Sequence, residues 1–217
     1  EIEALLNDRT DLMLEVPSAD FERIIKQPYI EGIRIRSGRF FDLVMANDVK
    51  PFNDFRVRKA LQLSLDRDVL VRELLNGYGV PGGDTPIMAA YPYYTPQPPL
   101  KPDVSRAKKL LTEAGYPSGI ELTLIASDRP ESRLKLATSI SQMARAAGFN
   151  IHIQSVNSEK YLRQIWTKAN FYIGYYNMQP SEGHVLNLLY TSTALWNQTR
   201  WNNITFDKII DAALSTV

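Results

Sequence analysis

Residues 120–176 read IELTLIASDRPESRLKLATSISQMARAAGFNIHIQSVNSEKYLRQIWTKANFYIGYY, and the alternation of periods along them decides the fold. IELTLIAS (120–127) alternates apolar and polar residues as a strand does; Leu136, Ile140, Met143 and Ala147 then recur at helical spacing until Gly148. NIHIQSV (150–156) returns to strand, SEKYLRQIWTKA (158–169) to helix and FYIGYY (171–176) to strand. This β-α-β-α-β order implies parallel strands, right-handed crossovers and helices laid against the sheet. Ligands of such sheets meet the carboxyl ends of strands, which directs attention to the segment just after Tyr176.

Working back toward the amino end, Val104, Ala107, Leu110, Leu111 and Ala114 stripe a helix stopped by Gly115. Before it, VPGGDTPIMAAYPYYTPQPPLKPD (80–103) contains seven prolines, which exclude regular structure; a loop this long is functional or wraps another element. PFNDFRVRKALQLSLDRDVLVRELLNGYG (51–79) predicts two helices, capped by Asn53 or Asp54 and by Asp66, with Gly77 as the stop. Their apolar stripes are Val57, Ala60 and Leu61, and Val69, Leu70, Leu74 and Leu75. FFDLVMAND (40–48) suits a strand inside a sheet. At the start, a helix over 1–7, a buried strand LMLEV (12–16) and a helix SADFERIIKQ (18–27) with Ser18 as N-cap form an αβα prelude. The basic connection GIRIRSGR (32–39) follows it.

Composition narrows the function classes. The 217 residues are 44% hydrophobic, enough for one substantial core or for one domain plus part of another. Lys and Arg number 25 against 24 Asp and Glu, so the net charge of +1 provides no field for nucleic acid or an anionic membrane. With no cysteine, disulfides, thiolate zinc sites and cysteine nucleophiles are excluded. No apolar run reaches the ~20 residues of a membrane span, and EIEALLNDRTDL lacks the layout of a secretion signal. The first residues read as mid-helix and FDKIIDAALSTV ends inside an amphipathic helix, so a piece of a longer protein is expected.

Candidate chemistry is sparse. Gly77, Gly79 and Gly82 spell G-x-G-x-x-G, but the motif follows a helix and enters a proline-rich loop, the wrong context for a dinucleotide. The two histidines, His152 in a strand and His184 near a helix start, have no partners at ligand spacing, so no metal is expected. GYPSG (115–119) has the wrong spacing for a nucleophile elbow, and no catalytic residue is assigned. What stands out is aromatic and amide-rich: YIGYYNMQPSEGH (172–184) and LWNQTRWNN (195–203), the mixture that lines pockets for small polar organic ligands. The expected ligand-binding set is Phe40, Tyr175, Tyr176, Asn177, Met178, Gln179, His184, Trp196, Arg200 and Trp201, with Arg200 placed to pair with a ligand carboxylate.

Several of these stretches carry a family likeness. The run from Pro51 to Arg67 resembles the P-P-F-x-D-x-R-V-R-x-A-L…D-R segment of extracellular solute-binding proteins of the peptide and nickel class. SRAKKLLTEAGYPSGIELTL (105–124) is similar to that family's A-K-x-L-L-x-E-A-G-Y-x-x-G…L-T-L block, and LLNGYGVPGGDTPI (74–87) to its G-x-G-x-P…P segment. Asp11, Val16 and Pro17 fit a first-lobe motif, while Asn203, Phe206, Asp207 and Ile210 fit Y-x-N-P-x-F-D-x-L-x-x-x-A. The resemblance implies an α/β fold of two lobes hinged around a ligand cleft. Residues 1–38 would be a remnant of the first lobe and hinge, the hinge lying near 28–39. Residues 39–217 would be the second, ligand-binding lobe, truncated at its carboxyl end, with a mixed sheet.

It also implies a receptor without catalysis or cofactor that hands a small polar organic solute, oligopeptide-like or related, to the permease subunits of an ABC importer. The expected location is periplasmic, or extracellular and lipid-anchored. Many peptide-binding relatives place a tryptophan shortly followed by an aspartate after the strand equivalent to FYIGYY; here YYNMQPSEG (175–183) has no acid until Glu182. Such a piece is expected to self-associate through the prelude, where the full-length receptor is monomeric. A small hydrolase with an unrecognised site, or a sensory or interaction domain reusing the fold, is the alternative.

Overall fold

Burial alternates along the first part of 120–127 and of 149–156, whereas 171–176 is buried on both faces. The computed structural model describes residues 1–216; Val217, the last residue of the terminal amphipathic stretch, lies outside the described residues. Strands β1 (Phe40–Met45), β2 (Ile120–Ser127), β3 (Phe149–Val156) and β4 (Phe171–Tyr176) form one sheet in the order β1-β4-β2-β3. β2 runs parallel to β3 and to β4, whereas β1 pairs antiparallel with β4 from Phe40↔Tyr176 to Met45↔Phe171. The sheet is therefore mixed, as expected. β1, however, is an edge strand and not an inner one, and of its six residues Val44 alone is fully buried, the others being half-buried.

The helices are α1 (Ile2–Leu6), α2 (Ser18–Ile24), α3 (Phe55–Leu63), α4 (Arg67–Leu75), α5 (Val104–Glu113), α6 (Glu131–Arg145), α7 (Ser158–Lys160), α8 (Glu182–Tyr190) and α9 (Ile204–Leu214). One sheet face, built from Leu122, Leu124, Ala126, Phe171 and Ile173, packs on Val57, Leu61, Leu111, Ile140 and Ala144 from α3, α5 and α6. Residues of the opposite register, Val44 and Tyr172, pack on Tyr161 and Ile165. Those two belong to a π-helical turn, Tyr161–Ile165, which continues α7 where an ordinary helix to residue 169 was expected. Thr167 then takes a left-handed backbone (φ 62) that ends the turn. A third cluster, Tyr91, Tyr176, Val185 and Leu189, anchors the proline-rich segment and α8 beside the end of β4.

Capping follows the sequence closely. Asp54 accepts from the Arg56 amide, Asp66 from Val69 and Asp103 from Arg106. The stop of α4 begins one residue before Gly77, since Asn76 already adopts the left-handed conformation (φ 48). The prelude departs most. LMLEV forms no strand, with Leu14 87% exposed, because among the described residues no neighbouring strand offers it hydrogen bonds. Ser18 is the first helical residue of α2 rather than its cap. The prelude rests instead on α4 and its exit, through Phe21 edge-on to Tyr78 at 5.2 Å, the Glu22 to Tyr78 hydroxyl contact, and Arg34 4.2 Å over the Tyr78 ring.

Candidate ligand-binding site

At the carboxyl end of β4 the sheet opens into a cleft of about 300 Å³. β4 contributes Tyr175 and Tyr176, and the chain leaving it Asn177 and Gln179. The first turn of α6 supplies Arg133, the π-helical turn Tyr161, Leu162 and the following Trp166, and the loop after α8 supplies Trp196. Successive residues of a strand face opposite ways, so Tyr175 and Tyr176 flank the end of the sheet on its two faces. Phe41 lies 5.1 Å from Tyr175, and Phe40 5.6 Å from Tyr176, each fixing its partner from β1.

The wall is a fixed aromatic array. Trp196 stacks on Tyr176 at 6.1 Å and meets Trp166 at 5.1 Å. Trp166 Nε1–H donates to the Tyr176 hydroxyl (3.4 Å), which donates to the Trp196 carbonyl (3.4 Å). The Tyr161 hydroxyl donates to the Ile173 carbonyl at 2.7 Å. Burial raises the pKa of Tyr161, Tyr172 and Tyr176 well above that of a free phenol, so all three remain neutral donors. On the outer side, the proline-rich segment reaches the cleft through Tyr91, whose hydroxyl accepts from the Gln179 amide at 2.9 Å.

Behind this wall lies a polar relay. The Thr167 amide donates to the Tyr172 hydroxyl (2.9 Å), Tyr172 donates to Gln198 Oε1 (2.7 Å), and Gln198 Nε2 donates to Asp42 Oδ2 (2.5 Å). Gln198 is only 5% exposed. Asp42 stands opposite Gly174 in the strand register, and its carboxylate fills the space where a Cβ on that glycine would sit. Asp42 Oδ1 is closed off from solvent without a hydrogen bond. Burial pushes this carboxyl up to about 7, against the opposing influence of Gln198 and of the Arg133 charge.

The expected ligand-binding residues are dispersed by this geometry. Tyr175, Tyr176, Asn177, Gln179 and Trp196 come together on the cleft. Phe40 stands behind Tyr176, and Met178 turns toward Gly38 and Tyr91. His184 is exposed on α8, where its amide is capped by Ser181. Arg200 is occupied by Asn170 and by Asp48 at 3.1 Å, and Trp201 packs on Phe206 at 5.1 Å. Arg133, Tyr161, Leu162 and Trp166 were not anticipated. Applying the carboxyl-end rule to β2 and β3 as well as to β4 would have reached Arg133 and Tyr161, which follow those strands within a few residues.

A second recess, of about 320 Å³, lies at the opposite end of the sheet near Gly119 and Gly148. Lys108 is its only charged residue and it has one aromatic ring, Tyr116, so it lacks converging polar groups around an apolar wall. Among the described residues no cluster of metal-ligating side chains occurs, and no helix is long and apolar enough to cross a membrane.

Comparison with known proteins gives concordant matches. The profile described as bacterial extracellular solute-binding proteins, family 5 Middle, matches residues 1–199. The glutathione-binding protein GsiB of Shigella flexneri is 24% identical over 97% of this chain, and the chain spans 45% of that relative's length. Among solved structures, the ABC transporter substrate-binding protein CtaP of Listeria monocytogenes superposes with a TM-score of 0.88 at 19% identity, over 100% of this chain and 45% of its own. The periplasmic binding protein DppA of Helicobacter pylori, in complex with the peptide STSA, gives 0.80 at 21% identity, over 97% and 42%.

Proposed function

Since the chain belongs to the family 5 bacterial extracellular solute-binding proteins, we propose that it forms the ligand-holding wall of an ABC importer receptor for a small polar organic solute. The observation that carries this reading is the cleft at the carboxyl end of β4, where five aromatic residues and two amide-bearing residues converge on about 300 Å³. The likeness spans a little under half the length of the relatives, so the other wall of the site belongs to the remaining part of such a receptor. Closure of two lobes about the segment 28–39 would then exclude water and strengthen each polar contact.

In this reading the protein binds and releases its solute unchanged, outside the cytoplasmic membrane, and delivers it to permease subunits. The described lining residues fit that role: they offer stacking faces, neutral hydrogen-bonding groups and one guanidinium, that of Arg133. Glutathione and peptides, named for the relatives above, set the chemical range.

The test is mass spectrometry of small molecules retained by the product of the complete reading frame after export to the periplasm, followed by calorimetry with the compound found. A retained polar solute whose affinity falls about tenfold or more in Trp196→Ala is the expected result. A solute that binds equally well without Trp196 would remove the cleft from its site.

A further inference from the structure

Among the described residues Arg133 is the only charged one lining the cleft, and its environment is unusual. Its guanidinium carbon lies 4.7 Å over the Tyr161 ring and 5.7 Å from the Tyr175 ring. One ring comes from each side of the sheet's end, so the guanidinium is held across it like a plate between two supports. Its Nε is buried without a hydrogen-bond partner, and among the described residues Arg133 forms no ion pair.

Arg39, beside Tyr175, is committed elsewhere, to Glu15 at 2.5 Å. The nearest acid behind the wall, Asp42, spends Oδ2 on Gln198, and burial favours its neutral form. The first turn of α6, which has no capping side chain, adds its partial positive charge at the same end. A guanidinium oriented by aromatic faces, open to a cleft and under-compensated by local acids, matches the planar, two-oxygen geometry of a carboxylate.

Resting on the cleft as the solute site, we propose that Arg133 determines its specificity by receiving a carboxylate of the solute, so that the receptor takes acids and rejects their neutral amides. Tyr161 and Tyr175 are positioning residues, fixing the fork before the solute arrives. The free energy of the paired contact is then not spent on ordering a long side chain.

The experiment uses a pool of small carboxylates, among them peptides, glutathione and sugar acids, and the same pool converted to primary amides. Both are offered to the product of the complete reading frame, with binding read by native mass spectrometry and calorimetry. The expected result is an acid bound about tenfold or more tighter than its amide. In Arg133→Gln the acid falls to the level of the amide, so that the preference between them is lost; Arg133→Lys, a charge without the fork, lies between. The preference persists in Asp42→Asn, and unchanged urea midpoints for the Arg133 variants show that the fold is intact. Amides that bind as tightly as acids would overturn the inference and leave the cleft standing. So would a preference lost equally in Asp42→Asn, which would make Arg133 merely the counter-ion of Asp42. If neither pool contains a compound that binds, the cleft reading itself falls and this inference with it.

Discussion

At the scale of single residues, Asp42 has the largest energetic consequence. Its carboxyl is held near 7 in the folded chain and close to 3.8 when unfolded, so between those values only the unfolded chain releases the proton. Stability therefore falls as pH rises from about 4 to 7, by roughly 4 kcal/mol at ~1.4 kcal/mol per pH unit, and then levels off. Asp42→Asn removes that slope: urea denaturation at pH 8 should show it more stable than the parent by a few kcal/mol, with little difference at pH 4. An unchanged pH profile would mean that Asp42 is solvated. This residue was not legible in advance. FFDLVMAND reads as an apolar strand with one polar position, and nothing in the local pattern says that Gly174, 132 positions later, vacates the space for its carboxylate.

At the scale of elements, caps were legible because their signal is local. Asp54 and Asp66 each act within three residues, and each accepts the amide its position foretells. The two helices of the 51–79 run differ in what their caps support. α3 buries Val57, Ala60, Leu61 and Leu63, whereas α4 buries no residue fully. Asp54→Ala should thus lower global stability by about 1–2 kcal/mol in urea, an effect that fades as acid protonates the parent residue. Asp66→Ala should act chiefly as faster amide exchange confined to α4. Equal global losses would contradict this division. The π-helical turn had no such local signature: SEKYLRQIWTKA carries an ordinary helical stripe, and the wider turn is defined by where Tyr161 and Ile165 must reach, against Val44 and Tyr172 on the sheet.

At the scale of the whole molecule, the prelude and the connection after it leave Leu12, Leu14, Ile33 and Ile35 between 69% and 87% exposed. Apolar side chains in extended backbone of this kind favour association with another copy. Light scattering at increasing concentration should find dimers or larger species, and Leu14→Lys with Ile35→Lys should shift them to monomer. A monomer at all concentrations would sink the expectation. The sheet order was only partly foreseeable for a related reason: the β-α-β-α-β run specifies its own three strands, but the partner of β1 depends on a chain reversal across more than a hundred residues.

The antiparallel pairing of β1 bears on how force passes through the molecule. Because Phe40 faces Tyr176, the connection 32–39 joins the sheet at the ligand end and not at the far edge. Tension along that connection loads the β1–β4 ladder lengthwise, where several hydrogen bonds share the load and none yields alone. A pull arriving through residues 32–39 is felt first at the rings of Phe40 and Tyr176 and at Gly38, which sits against Met178 and Tyr91. The cleft wall and the tether are thus one mechanical part, and whatever stiffens one stiffens the other.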